Sequence, residues 1–456
     1  MSRLIVVSNR VALPGEHRAG GLAFALQAAL AEHGGIWFGW SGRTVRDRSG
    51  RLHEHAAGNI RCITMDLNRL DYETYYNGFA NRTLWPLLHF RLDLVDYSRG
   101  TREGYLRVNG IFADRLAPML RDDDMVWIHD YHLIPLAALL RERGVGCRMG
   151  FFLHVPMPSP DLVAAMPDHA RLFSSFYAYD LVGFQTRRDM ERFQDYVRLF
   201  GGGRVHGDGM LEAPGGRRLR AGAFPISIDT ARIASLAQEA LSRPAVRALR
   251  RSLGAGRLAI GVDRLDYSKG LPERFRGFER YLERHPSEKG RLTYLQIAPV
   301  SRGDVAEYRM LRNELERIAG HVNGSHSDAD WTPLRYVNRN FAHSTLTGFY
   351  RIARVGLVTP LRDGMNLVAK EYVAAQDPEN PGVLVLSLLA GAAYELKEAL
   401  LVNPHDLDGV ADAIATAAGM PRAERIDRWR AMMDHLRRHD IHAWRRSFLG
   451  ALAQAG

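Results

Sequence analysis

The chain has 456 residues, of which 46% are hydrophobic and 25% are charged, and this composition excludes collagen-like, disordered and disulfide-framework proteins. The formal net charge is +10, which permits a nucleic acid or a phosphorylated small molecule as the partner. The basic residues are scattered along the whole chain without a purely basic block of five. We therefore expect no nucleic-acid partner.

The N-terminal region and the cysteines bear on the location of the protein. Residues 4–7 form a short apolar stretch, far below the length of a secretory signal, and no run reaches the roughly 18 apolar residues of a membrane span. The two cysteines, Cys62 and Cys147, form no CxxC pair, as is typical of a reducing compartment. We expect a cytoplasmic protein without a membrane partner.

Short β-branched runs alternate with amphipathic stretches, and this alternation predicts an α/β protein with parallel sheets. In chain order, the predicted strands cover residues 4–7, 126–128, 149–155, 180–184, 258–262, 292–298, 355–359 and 383–387. Helices are expected over 132–142 and 186–199, and the Gly- and Arg-rich segment 201–223 is expected to form an exposed hairpin or loop. The pattern restarts after residue 230, which predicts two α/β halves.

The C-terminal segment, residues 422–452, is helical in pattern, with Trp429 and Trp444 as expected anchors. The predicted domains are an N-terminal Rossmann-like lobe over 1–230, a C-terminal Rossmann-like lobe over 231–430, and a C-terminal helix over 431–456. This last helix is expected to cross back toward the N-terminal lobe.

Residues just after predicted strands are the candidates for ligand binding, because ligands of parallel sheets bind beyond the carboxyl ends of strands. Gly20 and Gly21 precede a helix and suit an anion. Arg264 and Lys269 lie five residues apart across a turn and could grip a diphosphate from two sides. An ordinary helix start and a solvated turn are the simpler interpretations of these residues.

The segment Asp363 to Asn366 precedes the helical run 367–375, so the first backbone amides of that run would face a leaving phosphate. Glu371 falls about one turn inside this helix, and a plain N-capped helix is the alternative interpretation.

Aromatic residues near the N-terminus form a second set, as expected where sugar rings stack: Trp37, Trp40, Tyr75, Tyr76 and Trp85. Together with the basic strand ends they indicate a sugar phosphate.

Other motif matches in the sequence lack the structural context that their chemistry requires. The Asp328-x-Asp330 pair matches a phosphatase nucleophile motif but follows no buried strand. His129 and His132 have metal-like spacing without a third ligand nearby, so we predict no metal site. Walker, GxSxG and HExxH motifs are absent from the sequence, which weakens the NTPase, serine hydrolase and zinc-protease interpretations.

Eight stretches in order along the chain carry a resemblance to a known family. They are VVSNR (6–10), GGL (20–22), WFGWSG (37–42), WIHDYHL (127–133), GFFLHVPMPSP (150–160), DRLDYSKGLPERF (263–275), QIAPVSRGD (296–304) and TPLRDGMNLVAKEYVAAQ (359–376). On these stretches the chain resembles the trehalose-6-phosphate synthase family of retaining glycosyltransferases. The resemblance implies a GT-B fold, in which two Rossmann-like lobes with parallel sheets face a central cleft.

The resemblance also implies residue roles. The nucleotide-sugar donor would be held by Gly21, Arg264, Lys269, Phe341, Asn366, Leu367 and Glu371, with Glu371 on the ribose. The transferred glucose would be surrounded by Asp130, His154 and Asp363, which with Arg264 and Lys269 form the implied catalytic set. The acceptor would be held by Arg10, Trp40, Tyr76, Trp85 and Arg302, with the two arginines on its phosphate.

The implied reaction is glucose transfer from UDP-glucose to glucose 6-phosphate with retention, without a cofactor or a metal ion. A related coupling enzyme that uses GDP-glucose, ADP-glucose or a cyclitol acceptor stays open, as does a non-catalytic sugar-phosphate sensor. Ala342 and His343 follow Phe341 where some relatives place a basic residue near the base, so the donor base is also open. A homo-oligomer, dimer or tetramer, is compatible with this resemblance.

Overall fold

The computed structural model describes residues 3–13, 26–27, 30, 34–300 and 306–455. The chain divides into two compact units. Unit 1 comprises Met1–Pro225 with His442–Gly456, and unit 2 comprises Ile226–Ile441. The unit boundaries thus fall at 225/226 and 441/442, where the sequence analysis had placed domain boundaries at 230/231 and 430/431.

Unit 1 is built on a ten-stranded sheet. Its strands are β1 (Leu4–Arg10), β2 (Gly35–Val45), β3 (Leu52–Ala57), β4 (Ile60–Asn68), β5 (Met125–His129), β6 (Arg148–Phe152), β7 (Leu181–Phe184), β8 (Arg204–Val205), β9 (Met210–Glu212) and β10 (Arg218–Ala223). They lie in the order β3-β4-β2-β1-β5-β6-β7-β10-β9-β8. The strands from β4 to β10 in this order are parallel, and antiparallel pairs close both edges.

Unit 2 is built on a six-stranded parallel sheet. Its strands are β11 (Arg257–Val262), β12 (Leu292–Ile297), β13 (Leu334–Val337), β14 (Val355–Val358), β15 (Val383–Ser387) and β16 (Leu400–Val402). They lie in the order β13-β12-β11-β14-β15-β16. The order reverses at β11 and β14, so the ends of these two neighbouring strands form the switch point where α/β folds bind ligands.

The helices connect the strands in both units. In chain order they are α1 (Arg69–Asp71), α2 (Trp85–Leu88), α3 (Arg99–Leu116), α4 (Leu136–Glu142), α5 (Pro160–Ala164), α6 (His169–Phe173), α7 (Arg187–Leu199), α8 (Thr230–Ala240), α9 (Pro244–Ser252), α10 (Leu271–Arg284), α11 (Ala306–His326), α12 (His343–Ile352), α13 (Leu367–Ala375), α14 (Leu407–Gly419), α15 (Arg422–Arg438) and α16 (Ile441–Gln454). A π-helix, Tyr72–Leu84, joins α1 to α2. None of the helices in the described part of the chain has the length and apolar character needed to cross a bilayer.

Continuous apolar runs account for the central strands, which are covered on both faces. Residues 4–7 of β1 are at most 1% exposed, and the predicted strands are present in both units. The strand predicted over 149–155 ends at Phe152, so that His154 lies in the loop beyond it. The expected hairpin in 201–223 exists as β9 and β10, but β10 also extends the sheet by pairing in parallel with β7.

The helical C-terminal segment is confirmed as α15 and α16, separated at residues 439–440. Both predicted anchors are buried. Trp429 donates its indole N–H to Val373 O over 3.0 Å in unit 2, and Trp444 donates to Phe224 O over 3.1 Å in unit 1. The sequence analysis did not predict the π-helix, because its residues lack a clear apolar period.

Candidate active site

Two loops of unit 2 bring Lys269 and Asp363 together. Lys269 ends a 3₁₀ turn after β11, and Asp363 follows β14. The two strands are neighbours, so their carboxyl ends lie at the same edge of the sheet. Lys269 Nζ lies 2.5 Å from Asp363 Oδ2, and the two side chains are 12% and 15% exposed. The result is a partly shielded ion pair at the switch point of the sheet.

Backbone contacts hold the loop that carries Asp363. The amide of Leu361 donates to Ser268 O over 2.9 Å, which ties this loop to the one after β11. On the other side, Gly391 donates its amide to Asp363 O over 3.2 Å. A Cβ at residue 391 would lie 1.9 Å from Gly364 O, so this close approach requires glycine. Asp363 is therefore held from both of its neighbouring loops.

Asn366 joins this loop to helix α13. Its backbone is left-handed, with φ of 80°, a conformation that Asn tolerates better than most residues. Its side-chain oxygen accepts the amide of Ala369 over 3.3 Å, and its Nδ2 donates to Asp363 Oδ2 over 3.0 Å. Asn366 thus caps the helix and orients the carboxylate. The first amides of α13 have no intrahelical partner and carry partial positive charge.

Arg264 lies on the same loop as Lys269 but nearer to solvent. Its side chain is 51% exposed, and its Nη2 lies 3.9 Å from Asp266 Oδ2. Asp266 is fully buried and accepts the amide of Ser268 over 3.0 Å. Two cations, one shielded and one exposed, therefore belong to a loop whose shape is stabilised by a buried carboxylate.

Glu371 lies one turn inside α13 and is 8% exposed. His343, at the start of α12, places its Nε2 3.3 Å from Glu371 Oε1. The hydrogen bond to this carboxylate raises the pKa of His343 above its ordinary value. Phe341 packs edge-to-face on Phe349 and beneath the guanidinium of Arg339, which lies 4.8 Å from the ring centroid. Phe341 precedes by two residues the histidine that contacts Glu371, and a polar acceptor together with an aromatic ring is the combination that a nucleoside requires.

In unit 1, Asp130 and His154 follow the neighbouring strands β5 and β6. Asp130 has φ of 73° and ψ of 166°, a region that residues with a Cβ rarely adopt. Its amide donates to Phe152 O over 2.8 Å, and its Oδ1 accepts the amide of His154 over 3.2 Å. Strained backbone of this kind concentrates at functional sites.

The imidazole of His154 is partly buried and contacts the buried ring of His129. Its Nε2 lies 3.0 Å from His129 Nδ1, and Gln185 Nε2 donates to His154 O over 3.4 Å. Removal from water lowers the pKa of His154 to about 3, and burial lowers the pKa of His129 well below its ordinary value. Both rings are therefore neutral at pH 7, and His154 acts as a hydrogen-bonding group.

Aromatic side chains gather beside the π-helix of unit 1. The rings of Trp40, Tyr72 and Tyr76 have pairwise centroid distances of 5.5 to 5.6 Å. Tyr76 also stacks on His132, with 5.8 Å between centroids and 12° between planes. We call these four residues the aromatic cluster. Two of its members lie on the π-helix, a geometry that occurs often at functional sites.

Trp85 lies at the start of α2 and is 5% exposed. Its ring packs 4.0 Å from His89 and 5.7 Å from Tyr131, measured between centroids. Tyr131 follows Asp130 directly, so Trp85 supports the segment that carries the strained aspartate. Trp37 and Tyr75, the other two aromatics in this set, are at most 1% exposed and belong to the core of unit 1.

Arg10 ends β1 and is exposed. Its guanidinium lies against Gly42, since a Cβ at residue 42 would come within 2.6 Å of Arg10 Cζ. Gly42 has φ of 83°, which also favours glycine. Gly42, on the neighbouring strand β2, thus leaves free the space that the Arg10 guanidinium occupies. A side chain at residue 42 would fill that space.

Two predicted site residues, Gly21 and Arg302, lie outside the described residues. Within the described ranges, the one cluster of three potential metal ligands consists of Glu279, Glu283 and His326, none of which is a candidate site residue.

The sequence analysis missed two residues that contact this site. His129 was considered only as part of a metal-like pair, whereas it contacts His154. Arg274 was not singled out at all, although its side chain is fully buried and donates to Lys269 O over 3.2 Å. The available signal was a lone arginine on the apolar face of α10, between the buried Leu271 and Phe278.

Comparisons with known proteins agree over the full length. The model of the family described as "Glycosyltransferase family 20" matches residues 6–454. A trehalose-6-phosphate synthase of Sinorhizobium fredii is 51% identical, covering 99% of this chain and 98% of the relative.

Two solved structures resemble the fold closely. A UDP-forming α,α-trehalose-phosphate synthase from Burkholderia xenovorans, in complex with glucose-6-phosphate, has a TM-score of 0.96 at 48% identity and covers 99% of this chain and 100% of that chain. An Escherichia coli trehalose-6-phosphate protein bound with UDP-2-fluoro glucose has a TM-score of 0.95 at 48% identity and covers 99% of each chain.

Proposed function

The chain belongs to glycosyltransferase family 20 and has its GT-B fold, and from this premise we propose that it transfers glucose from UDP-glucose to glucose 6-phosphate. The anomeric configuration is retained, and the products are α,α-trehalose 6-phosphate and UDP. The relatives with glucose-6-phosphate and with a UDP-glucose analogue match nearly the whole chain. This makes the chain a UDP-forming hexosyltransferase.

The observation in this structure that carries the proposal is the arrangement of Lys269, Asp363 and Asn366 at the N-terminus of α13. An ammonium and a helix N-terminus at the switch point form a binding site for a diphosphate. Arg264, on the exposed side of the same loop, adds a second cation. Glu371 holds the ribose hydroxyls, and Phe341 lies at the base side of the donor.

Most of the proposed acceptor residues belong to unit 1, and Arg302 belongs to the chain range of unit 2. Arg10 and, outside the described residues, Arg302 bind its phosphate, because guanidinium groups form charge-assisted hydrogen bonds to phosphate oxygens. Trp40 and Tyr76 of the aromatic cluster contact the sugar, and Trp85 supports the segment behind them. Asp130 and the neutral His154 position the transferred glucose through hydrogen bonds.

In the reaction, the bond between the donor's anomeric carbon and the β-phosphate oxygen breaks, and a bond to the anomeric oxygen of glucose 6-phosphate forms. Negative charge grows on the departing diphosphate, where Lys269, Arg264 and the first amides of α13 stabilise it. We propose that attack occurs on the face from which UDP leaves, and that the diphosphate oxygen accepts the proton of the acceptor hydroxyl. This route retains the configuration without a carboxylate nucleophile.

UDP-glucose is a substrate in this scheme, and the positive charge at the diphosphate comes from protein groups. The proposal therefore includes no metal ion and no other cofactor. It also includes no nucleic acid and no membrane. A homo-oligomer remains compatible with it, and the proposed location is the cytoplasm.

The test is to incubate the purified chain with glucose 6-phosphate and UDP-, ADP- or GDP-glucose, and to follow nucleoside diphosphate release and product by NMR. We expect a disaccharide phosphate with two α-anomeric signals and the highest rate with UDP-glucose. Release of UDP without a disaccharide would contradict the proposal. Binding of both substrates without turnover would indicate a sensor instead.

A further inference from the structure

A buried arginine lies beneath the proposed diphosphate site of unit 2. Arg274 is on the first turn of α10, and its side chain is 0% exposed. An ionised side chain without solvent persists only when its donors are paired. The hydrogen-bond acceptors of this guanidinium therefore indicate which parts of the fold it stabilises.

The guanidinium has four acceptors in three segments: the loop after β11, strand β12 and the segment after β14. It donates to Asp263 Oδ2 over 2.6 Å after β11 and to Gln296 Oε1 over 3.0 Å on β12. It also donates to Thr359 Oγ1 over 2.9 Å after β14 and to Lys269 O over 3.2 Å. Each acceptor lies at the carboxyl-end side of the sheet. One cation thus joins both loops that form the Lys269 and Asp363 pair.

The strand beneath leaves room for this arrangement. Gly261 lies on β11, and a Cβ there would come within 2.4 Å of Gln296 Oε1 and 2.9 Å of Arg274 Nη1. A side chain at this position would displace both groups. The space above Gly261 is therefore occupied by the Arg274 network.

We propose that Arg274, paired with Asp263, is a positioning residue for donor-diphosphate binding. It fixes the carbonyl of Lys269 and the segment leading to Asp363, and so holds the Lys269 ammonium where negative charge develops on the leaving group. Arg274 acts through Lys269 and does not touch the substrate. The inference rests on the proposed function for the role of Lys269.

The first variant is Arg274→Lys, which keeps one positive charge opposite Asp263 but cannot bridge four acceptors. We expect kcat to fall by about tenfold to a hundredfold, the scale of a misplaced catalytic group. The KM for glucose 6-phosphate should change less than twofold, because the described acceptor residues, Arg10, Trp40, Tyr76 and Trp85, belong to unit 1. Thr359→Val, which removes one acceptor at nearly constant volume, should give a smaller loss of the same kind.

Arg425→Lys is the matched control. Arg425 is also a buried arginine of unit 2, 5% exposed, and it donates to backbone carbonyls, including Met420 O, outside the two loops. The Arg425→Lys variant should lower the melting temperature to a degree similar to Arg274→Lys, while leaving kcat unchanged. An equal loss of kcat in both variants would overturn the proposal, since both losses would then reflect stability.

A double-mutant cycle with Lys269→Ala gives the decisive measurement. If Arg274 acts through Lys269, the loss from Lys269→Ala is much smaller in the Arg274→Lys or Thr359→Val background than in the wild type. Additive losses in both backgrounds would overturn the proposal. The cycle is also run on the Kd for UDP by calorimetry, so that a wild-type chain without transferase activity would contradict the proposed function alone.

Discussion

Lys269 Nζ lies 2.5 Å from Asp363 Oδ2, although 94 positions separate the two residues in the chain. The contact joins the loops after β11 and β14, the two strands at which the order of the sheet reverses. In the proposed reaction, a diphosphate competes for the same ammonium. The ion pair therefore keeps Lys269 oriented toward the site before the donor binds.

Replacing Lys269 removes a preorganised positive charge from the leaving group. We expect Lys269→Ala to lower kcat/KM by about a hundredfold or more, the scale observed when one such donor is lost. Arg264→Ala should act in the same direction. Initial rates with both substrates varied measure the effect, and Lys397→Ala, at an exposed lysine, is the control. A rate within twofold of the wild type for Lys269→Ala would contradict its assignment.

Filling the space at Gly42 tests the acceptor assignment of Arg10. In Gly42→Ala the new Cβ would come within 2.6 Å of the guanidinium carbon, so Arg10 must move. We expect the KM for glucose 6-phosphate to rise at least about tenfold, as for a lost charged hydrogen bond, while the Kd for UDP stays constant.

The matched control for that experiment is Gly58→Ala. Gly58 also has a left-handed backbone, with φ of 64°, but no atom lies within 4 Å of the added Cβ. Both variants therefore introduce similar backbone strain, and only Gly42→Ala displaces Arg10. A similar rise of the KM in both variants would show that strain, and not Arg10, is responsible.

Glu371 should determine how the donor ribose is recognised. The loss of a charge-assisted hydrogen bond predicts that Glu371→Gln weakens UDP binding by about tenfold to a hundredfold. The wild type should also prefer UDP over 2′-deoxy-UDP and 3′-deoxy-UDP, and this preference should largely disappear in the variant. Calorimetric titration measures all the affinities. A preference that stays intact in Glu371→Gln would place the ribose elsewhere.

The contact between the buried His129 and the partly buried His154 predicts a pH dependence of stability. The pKa of His154 is lowered from 6.5 to about 3, and that of His129 is lowered in the same direction. The unfolded chain therefore binds more protons than the folded chain below pH 6.5. The contribution of these two histidines to stability is fully present above pH 6.5 and falls on acidification, by at most about 1.4 kcal/mol per pH unit for each ring that stays neutral in the folded chain.

Urea unfolding at pH 7, 6 and 5 measures this slope. His129→Gln removes one titrating ring and should make the dependence on pH shallower, while His206→Gln, at an exposed position, is the control. Equal slopes for the wild type and His129→Gln would mean that this ring is not held in its neutral form.

The charge at the proposed diphosphate site comes from Arg264, Lys269 and helix amides, so activity should survive exhaustive treatment with EDTA. The measurement is the initial rate before and after dialysis against the chelator. A loss of activity that Mg²⁺ restores would contradict the proposed leaving-group stabilisation by protein groups alone.

Local pattern was enough for eight of the strands and for several of the helices. Helix α13 was predicted over 367–375 and is present as Leu367–Ala375, because Asn366 can cap a helix and the run after it is strongly apolar. The eight strands predicted from the sequence could be recognised for a similar reason, whereas β2, β3, β4, β13 and β16 were not predicted. Burial on both faces demands continuous apolar runs, which are visible in the residue order.

The contacts that give these residues their chemistry depend on how distant segments meet. Nothing within residues 263–275 shows that Arg274 is buried against Thr359, or that Lys269 faces Asp363, because both partners lie in the segment that follows β14, 85 and 94 positions later. The neutral state of His154 likewise depends on burial beside His129, and the backbone of Asp130 on its bond to Phe152. Residue order determines which groups are present at the strand ends, but the packing of the strands decides which of them are brought within hydrogen-bond distance and shielded from water.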